Sequence, residues 1–251
     1  MHPRQQEILE ALQAGRPVTV SRLAARFRVT PATIRRDLDE LEGAGQLERT
    51  HGGAVLSKPG RIEFQLRRRA EVMAPAKQAI ARAVAQWVRP GATITLDTGT
   101  TTLAVARALH GIENLRVLTS SLAVAATLHP FEGIRLILLG GEARRHEPDL
   151  FGELPEENLR RFRVDVAIIG ADRVTPDGLF THDPEVVRVS RAMIRGAARC
   201  LLVADSSKFS TPAFHLFSSW DPIDTVVTDS GLPVATRRWV ARKAKLVLAK
   251  L

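Results

Sequence analysis

The chain has 251 residues, of which 45% are apolar and 25% charged, and 36 lysines and arginines face 27 aspartates and glutamates. This length holds one large or two smaller domains with cores of their own, and the excess positive charge suggests either a polyanionic partner or arginine-rich solvated surfaces. The single cysteine excludes an internal disulfide framework and a cysteine-rich zinc site, and the scattered histidines lack metal-ligand spacing, so we expect no metal and no cofactor.

Residues 1–56 have the pattern of three short helices followed by a hairpin. Pro3 suits the first turn of a helix that Gly15 ends. Ser21 is the predicted N-cap of a second helix, which buries Leu23, Ala24 and Phe27.

The third helix is predicted to begin at Thr30, as N-cap, with Pro31 in the first turn. Its apolar residues recur at helical spacing and face inward: Ile34, Leu38 and Leu41. After Gly43 and Gly45, the stretch QLERTHGGAVL predicts a hairpin, because two extended pieces surround a glycine pair.

A helix pair with a tight turn, followed by a hairpin, is typical of a winged helix-turn-helix domain that places its recognition helix in the major groove. Arginine suits guanine edges and phosphates. The alternative is a small protein-interaction module with solvated arginines, since residues 1–58 hold nine basic against seven acidic residues. The predicted contacts to double-stranded DNA are Thr30, Ala32, Thr33, Arg35 and Arg36 of the third helix, and Arg49 and His51 of the hairpin.

Residues 57–76 are predicted to be a linker between the DNA-binding domain and a second domain at residues 77–251. The linker opens with proline and glycine and carries the run Arg67–Arg69. It is expected to be helical in part, from Glu63. The run is interpreted as a solvated helix face, with direct phosphate contact as the alternative.

Residues 77–251 alternate helical and strand patterns. Several strand candidates are continuous apolar runs, as in parallel strands covered on both faces. The alternation predicts an open, mostly parallel α/β sheet. The predicted strands are 93–97, 115–119, 134–140, 164–170, 200–205, 224–229 and 245–249, and the helices between them are AIARAVAQWV, TLAVARAL, LAVAATL, EENLRRF and EVVRVSRAMIRGAA.

Polar and glycine residues follow these strands, at the sheet edge where α/β proteins bind ligands. Two of the turns open helices, whose N-termini suit a phosphate, while Lys208 adds charge and carboxylates suit sugar hydroxyls. The alternatives are ordinary N-caps and turns. Nucleotide fingerprints and the serine-hydrolase motif are absent. The predicted pocket for a phosphorylated polyol contains Asp97, Gly99, Thr100, Thr101, Ser120, Ser121, Gly140, Gly141, Asp172, Glu185 and Lys208.

With these motifs the sequence resembles the DeoR family of bacterial transcriptional repressors over nearly its whole length. The residues that carry the resemblance are VSRLAARFRVTPATIRRDLDELEGAGQLERTHGGAV, LDTGTTT, LTSSLAVA, LLGGEARR, DVAIIGAD, DGLFTHDPE and LVADSSKF. The resemblance implies a second domain similar to ribose-5-phosphate isomerase and to translation initiation factor 2B. It also implies that the pocket residues above bind the effector. EARRHEPDLFGELPEENL matches the family only loosely, the chain has no tyrosine, and Phe180 stands in the GLFTHD stretch.

The resemblance implies a homo-oligomer, dimer or tetramer, that leaves operator DNA when a phosphorylated sugar binds. The alternatives are a sugar-phosphate isomerase-like enzyme with an added N-terminal domain, since the same anion site serves catalysis, and an activator built from the same parts. The winged helix favours a regulator over an enzyme. MHPRQQEILE lacks the apolar core of a signal peptide and no apolar run approaches the ~18 residues of a spanning helix, so we expect a cytoplasmic protein without membrane contact.

Overall fold

The computed structural model describes residues 2–16, 18–43, 46–57, 66–144, 147–210 and 214–251. The chain forms two compact units, residues 1–69 and 70–251. Two segments of the predicted linker are helical. The first is residues 66–71, and the second is the start of a further helix at Ala74. Glu63, the predicted start of helical structure, lies outside the described residues.

The first unit confirms the predicted three helices and hairpin. The short strand β1 joins the hairpin, so that the antiparallel sheet has the order β1-β3-β2. The elements are α1 (Pro3–Gln13), β1 (Val18–Thr19), α2 (Val20–Phe27), α3 (Pro31–Gly43), β2 (Leu47–Thr50) and β3 (Gly53–Leu56).

The second helix begins two residues earlier than its sequence suggests. Its N-cap is Thr19, whose hydroxyl accepts the Arg22 N–H at 3.3 Å, so the predicted cap at Ser21 is wrong. Thr19 ends β1, and β1 is held by pairing with β3. This tertiary pairing fixes the extended backbone that an N-cap needs. Phe27 is half-buried against the core that Leu23 and Ala24 enter.

The third helix begins as predicted, with Ile34, Leu38 and Leu41 buried. The Thr30 hydroxyl accepts the Thr33 N–H at 3.2 Å. It therefore satisfies one of the free N–H groups of the first turn.

Thr30→Ala should reduce the stability of α3 by about 1 kcal/mol through loss of this cap. We expect amide hydrogen exchange in α3 to become roughly fivefold faster. Thr30→Ser, which keeps the hydroxyl, is the matched control and should exchange like the wild type. Equal protection in all three proteins would show that the cap does not stabilise the helix.

The second unit is built on a seven-stranded sheet of order β15-β14-β12-β9-β4-β5-β6. Every neighbouring pair is parallel, which confirms the predicted parallel α/β class. Its strands are β4 (Thr93–Leu96), β5 (Leu115–Thr119), β6 (Ile134–Leu138), β9 (Val164–Ile169), β12 (Ala197–Val203), β14 (Thr225–Asp229) and β15 (Lys245–Ala249).

Helices connect these strands, five of them at the predicted places, whereas the helix at residues 234–243 was not predicted. Apolar side chains from β9, β12 and β14 pack with the helix that follows residue 186 into one large core. The helices are α4 (Ala74–Ala85), α5 (Thr100–Ala108), α6 (Leu122–Leu128), α7 (Glu153–Leu159), α8 (Val187–Gly196) and α9 (Val234–Lys243), with a 3-10 turn at Ser206–Lys208.

Five short antiparallel strands were not predicted, because each has two to four residues and no clear alternation. They form a three-stranded sheet, β10-β11-β13, and a two-stranded one, β7-β8. Gly178 lies so close to β13 that a Cβ would stand 2.4 Å from the Ser218 oxygen. The strands are β7 (Glu142–Ala143), β8 (Leu150–Phe151), β10 (Arg173–Thr175), β11 (Gly178–Thr181) and β13 (His215–Ser218).

Candidate nucleic-acid interface and ligand site

Helix α3 presents a polar surface on the side away from its buried residues. Arg35 and Arg36 are exposed, as are Thr30 and Ala32, and Thr33 is half-buried. The Arg36 side chain is 85% exposed and meets Glu40 at 3.4 Å, a contact one turn away that is worth little in water. Both guanidinium groups are therefore available to an outside partner.

Arg49 has more partners within the unit than the other predicted DNA contacts have. Its guanidinium forms an ion pair with Asp39 of α3 and donates to the Arg35 carbonyl oxygen at 3.4 Å. Its N–H donates to Glu42 at 2.9 Å. These bonds attach the hairpin to the recognition helix. His51 is exposed at the hairpin turn.

The parallel sheet collects the predicted pocket residues at one edge, where all seven strands end. The strands that lead to them are neighbours in the order β12-β9-β4-β5-β6. Lys208 follows β12 and Gly140 follows β6, each two strands from β4. Strand spacing places those two strands roughly 10 Å on either side of β4.

The turn after β4 leaves the start of α5 open. Gly99 occupies the N-cap position with φ 123°, and no side chain caps the helix. The Thr102 hydroxyl donates instead to the Gly99 carbonyl oxygen at 2.9 Å. The first N–H groups of α5 thus have no side-chain partner within the described residues, and they point along the positive end of a helix dipole. This is the geometry of an anion site.

The turn after β5 is less open. The Ser121 hydroxyl accepts the Val124 N–H at 3.2 Å and so caps α6, which has seven residues. Ser120 and Ser121 are buried, and the strand bridge between Ser121 and Asp149 covers them. Of the two predicted phosphate positions, the structure leaves the first one accessible.

Asp97 is a buried carboxylate beneath the α5 turn, with 5% of its surface exposed. It accepts the Thr98 N–H at 2.8 Å, the Gly170 N–H at 3.3 Å and the Ser190 hydroxyl at 3.4 Å. Burial raises the pKa of Asp97 to about 7, against the lowering effect of these donors. Asp97 therefore joins β4, the end of β9 and helix α8 in one buried cluster.

Arg144 was not among the predicted site residues, although it lies at the same edge. Its side chain is 8% exposed and donates to both carboxylate oxygens of Asp149, and it also pairs with Asp183. Burial lowers the pKa of Arg144, but the hydrogen bond and the charge of Asp149 outweigh this effect, so the pKa lies above its usual value. The sequence signal for Arg144 is its place in the LLGGEARR stretch, which follows β6 at this edge of the sheet. Ser190 was missed because its role depends on Asp97.

The remaining predicted residues have varied surroundings. Asp172 accepts the Thr181 hydroxyl and the His182 N–H at 3.1 and 2.9 Å, while Glu185 is exposed. Gly141 has φ 119°, and a Cβ there would stand 2.4 Å from the Phe151 oxygen. The glycine pair therefore has a structural reason to be glycine. Lys208 is half-buried and makes no side-chain hydrogen bond or ion pair with any described residue.

A separate cavity of about 310 Å³ lies between α8 and β13 and contains none of the predicted pocket residues. Its lining includes Arg191, Ile194, Leu216 and Phe217. Because none of the predicted pocket residues lines this cavity, we assign it no part in the ligand site. No helix in the described parts of the chain is both long and apolar enough to span a bilayer.

Comparison with known proteins covers both units. The family profile described as the DeoR-like helix-turn-helix domain matches residues 4–59, and that of the DeoR C-terminal sensor domain matches residues 73–230. The glycerol-3-phosphate regulon repressor of Escherichia coli is 37% identical over 92% of each chain. The transcriptional repressor AccR of Agrobacterium fabrum is 37% identical over 91% of this chain and 89% of its own. Ribose 5-phosphate isomerase of Methanocaldococcus jannaschii is 20% identical over 55% of each chain, with a TM-score of 0.41.

Proposed function

The chain belongs to the DeoR family of bacterial transcriptional repressors, and from this membership we propose that it represses a sugar-metabolism operon and leaves its operator when a phosphorylated sugar binds. The observation that carries the proposal is the uncapped start of α5 together with Lys208, in a chain whose first unit is a winged helix-turn-helix.

The first unit supports the DNA half of the proposal. Helix α3 holds two exposed arginines beside its own N-terminal turn, the part of a recognition helix that meets base edges. The hairpin is attached to that helix through Arg49 and Asp39. One short helix and one hairpin make a small interface with DNA. We therefore propose a cytoplasmic homo-oligomer, dimer or tetramer, that reads a repeated or palindromic operator.

The second unit supports the effector half. We assign the phosphate to the N–H groups of α5 and to Lys208, because the guanidinium of Arg144 is already bound by two carboxylates. Asp172 and Glu185 are the polar groups left for the hydroxyls of a polyol. Relatives named for the glycerol-3-phosphate regulon make small phosphorylated polyols the first compounds to try.

Lys208→Ala should weaken effector binding by tenfold to a hundredfold, because a hydrogen bond to a charged group contributes roughly 1.5–3 kcal/mol. Operator binding without effector should be unchanged. The measurement is release of fluorescent operator DNA titrated with glycerol 3-phosphate and other sugar phosphates. Lys250→Ala, which removes an exposed lysine, is the control and should respond like the wild type.

Gly99→Ala tests the same site through the backbone. A residue with a side chain is strained at φ 123°, so the turn should shift and effector release should again need higher concentrations. Thermal melting of each variant shows whether the fold survives. Release at the wild-type effector concentration by folded Lys208→Ala and Gly99→Ala proteins would refute the pocket assignment.

One observation favours the isomerase alternative, namely the pKa of about 7 at Asp97, since a proton-transfer catalyst needs such a group. A carboxylate that is buried beneath the turn and held by three donors is poorly placed to reach a substrate carbon. Incubating the full chain with ribose 5-phosphate decides the matter. We expect no ribulose 5-phosphate, and steady turnover that Asp97→Asn abolishes would establish the enzyme instead.

A further inference from the structure

The sheet of the second unit has a second edge, which the proposed function does not use. Because all seven strands are parallel, their amino ends lie together at the edge opposite the effector site. We call this the amino edge and define it by the connections that lead into the strands: residues 86–93, 109–116, 129–135, 159–165, 195–199, 219–225 and 242–245.

The amino edge is strongly basic. It holds eleven lysines and arginines, all exposed, against five aspartates and glutamates. Residues 1–58 have an excess of only two positive charges, nine basic against seven acidic, whereas the whole chain has an excess of nine. The second unit, residues 70–251, holds 23 basic against 19 acidic residues, an excess of four. The amino edge alone has an excess of six, so it accounts for all of the net positive charge of that unit.

Most of these cations have no partner among the residues that the structure describes. Arg160 and Arg195 contact the buried Glu156, and Lys245 lies over the Trp87 ring at 4.7 Å. The other eight make no side-chain hydrogen bond or ion pair with any described residue. The carboxylates of Asp165 and Asp224 are engaged elsewhere, because they accept backbone N–H groups at 2.8 and 2.7 Å.

Helix dipoles account for only part of this charge. Arg195 and Arg242 lie in the last turns of helices, where a cation is favourable. No helix dipole explains Arg116 and Arg135, because they lie in register on the neighbouring strands β5 and β6. The backbones of parallel neighbours lie about 4.8 Å apart, so the two side chains start from adjacent positions and their like charges repel. An external polyanion would relieve this repulsion.

We propose that the amino edge binds the phosphate backbone of duplex DNA next to the operator. The inference rests on the proposed DNA-binding function, because the reading unit holds DNA at high local concentration beside the rest of the chain. Six intervals between seven strands span roughly 29 Å, a length over which the duplex carries about 17 phosphates. The contact would add affinity and salt dependence but no base specificity.

A second copy of the chain is the other partner with suitable charge. At the opposite edge, the described residues of the connections after the strands hold nine acidic against four basic residues. A copy docked through that edge would cover the α5 turn and exclude the effector. Such head-to-tail contacts give a ring if the rotation between copies closes and an open filament if it does not. DNA satisfies the charge without blocking the ligand site.

The experiment compares the salt dependence of DNA binding for the wild type and the full-length Arg116→Gln/Arg135→Gln variant. The duplexes carry the operator with and without about ten flanking base pairs on each side. Each lost phosphate contact reduces the slope of log K against log salt by about 0.9. We expect a slope smaller by about two on the flanked duplex, and no difference on the short one. The matched control, Arg238→Gln/Lys250→Gln, removes two exposed cations outside the amino edge and should keep the wild-type slope.

An unchanged slope in the Arg116/Arg135 variant, or an equal fall in the control, would overturn the proposal. A change of oligomeric state in sedimentation with an unchanged slope would assign the edge to contacts between copies and overturn it as well. Binding to a duplex without the operator separates this inference from the proposed function. If the wild type shows no operator preference but the variant still loses slope, the reading assignment fails and the basic edge stands.

Discussion

Replacing both Arg35 and Arg36 with alanine should weaken operator binding by roughly 2–6 kcal/mol, because each arginine that reads a guanine through two hydrogen bonds contributes about 1–3 kcal/mol. Both side chains are exposed on α3. Neither has a buried partner, so the substitutions should leave the fold of the first unit intact. The loss in affinity is therefore expected to come from DNA contacts alone.

The two possible roles of these arginines give different results. A base-reading arginine, once removed, relaxes the preference for one base pair, whereas a phosphate-binding arginine lowers affinity for all sequences and reduces the salt slope by about one. Binding of the single and double variants to the operator and to duplexes with single base changes separates these cases. Arg16→Ala, an exposed arginine outside α2 and α3, is the control. Unchanged affinity and salt slope in the double variant would refute the assignment of α3.

The stability of the second unit should fall as the pH rises from about 4 to about 7, through ionisation of Asp97. Burial raises the pKa of this carboxyl from 3.8 to about 7 in the folded chain. Between pH 4 and pH 7 the folded state keeps a proton on Asp97 that the unfolded state has released. The stabilising effect of this proton is complete below pH 4 and is lost above pH 7. A difference of about three units corresponds to roughly 4 kcal/mol.

Asp97→Asn removes the titration and serves as the reference. Urea unfolding followed by tryptophan fluorescence reports on the second unit, because Trp87, Trp220 and Trp239 all lie there. The free energy of unfolding of the wild type should decrease relative to the variant by roughly 4 kcal/mol between pH 4 and pH 8. Any effect of the Asp97→Asn substitution on the free energy of unfolding that is the same at every pH cancels, because only the pH dependence is compared.

Ser190→Ala provides a second test of the Asp97 titration. The Ser190 hydroxyl donates to the carboxylate and lowers its pKa. Its removal should therefore raise the pKa further and move the midpoint of the transition to higher pH. A difference between wild type and Asp97→Asn that is the same at every pH would show that Asp97 does not titrate in this range.

Local sequence determined much of the fold. The strands 115–119 and 245–249 and the helix 122–128 have the predicted limits, because each is an apolar run bounded by polar or turn residues. The start of α3 at Thr30 and Pro31 is likewise a local property, since a capping hydroxyl and a proline act within one turn. Parallel strands that alternate with helices also fix which edge collects Asp97, Gly99 and Lys208.

The tertiary structure decided what depends on contacts between distant residues. Thr19 rather than Ser21 caps α2 because β1 pairs with β3. Arg49 binds Asp39 across ten residues, and Arg144 reaches Asp183 across 39. No local pattern announces such partners, because an ion pair depends on where the folded chain brings two charges together. The pKa of Asp97 has the same origin, since burial beneath the α5 turn and the approach of Gly170 and Ser190 exist only in the folded sheet.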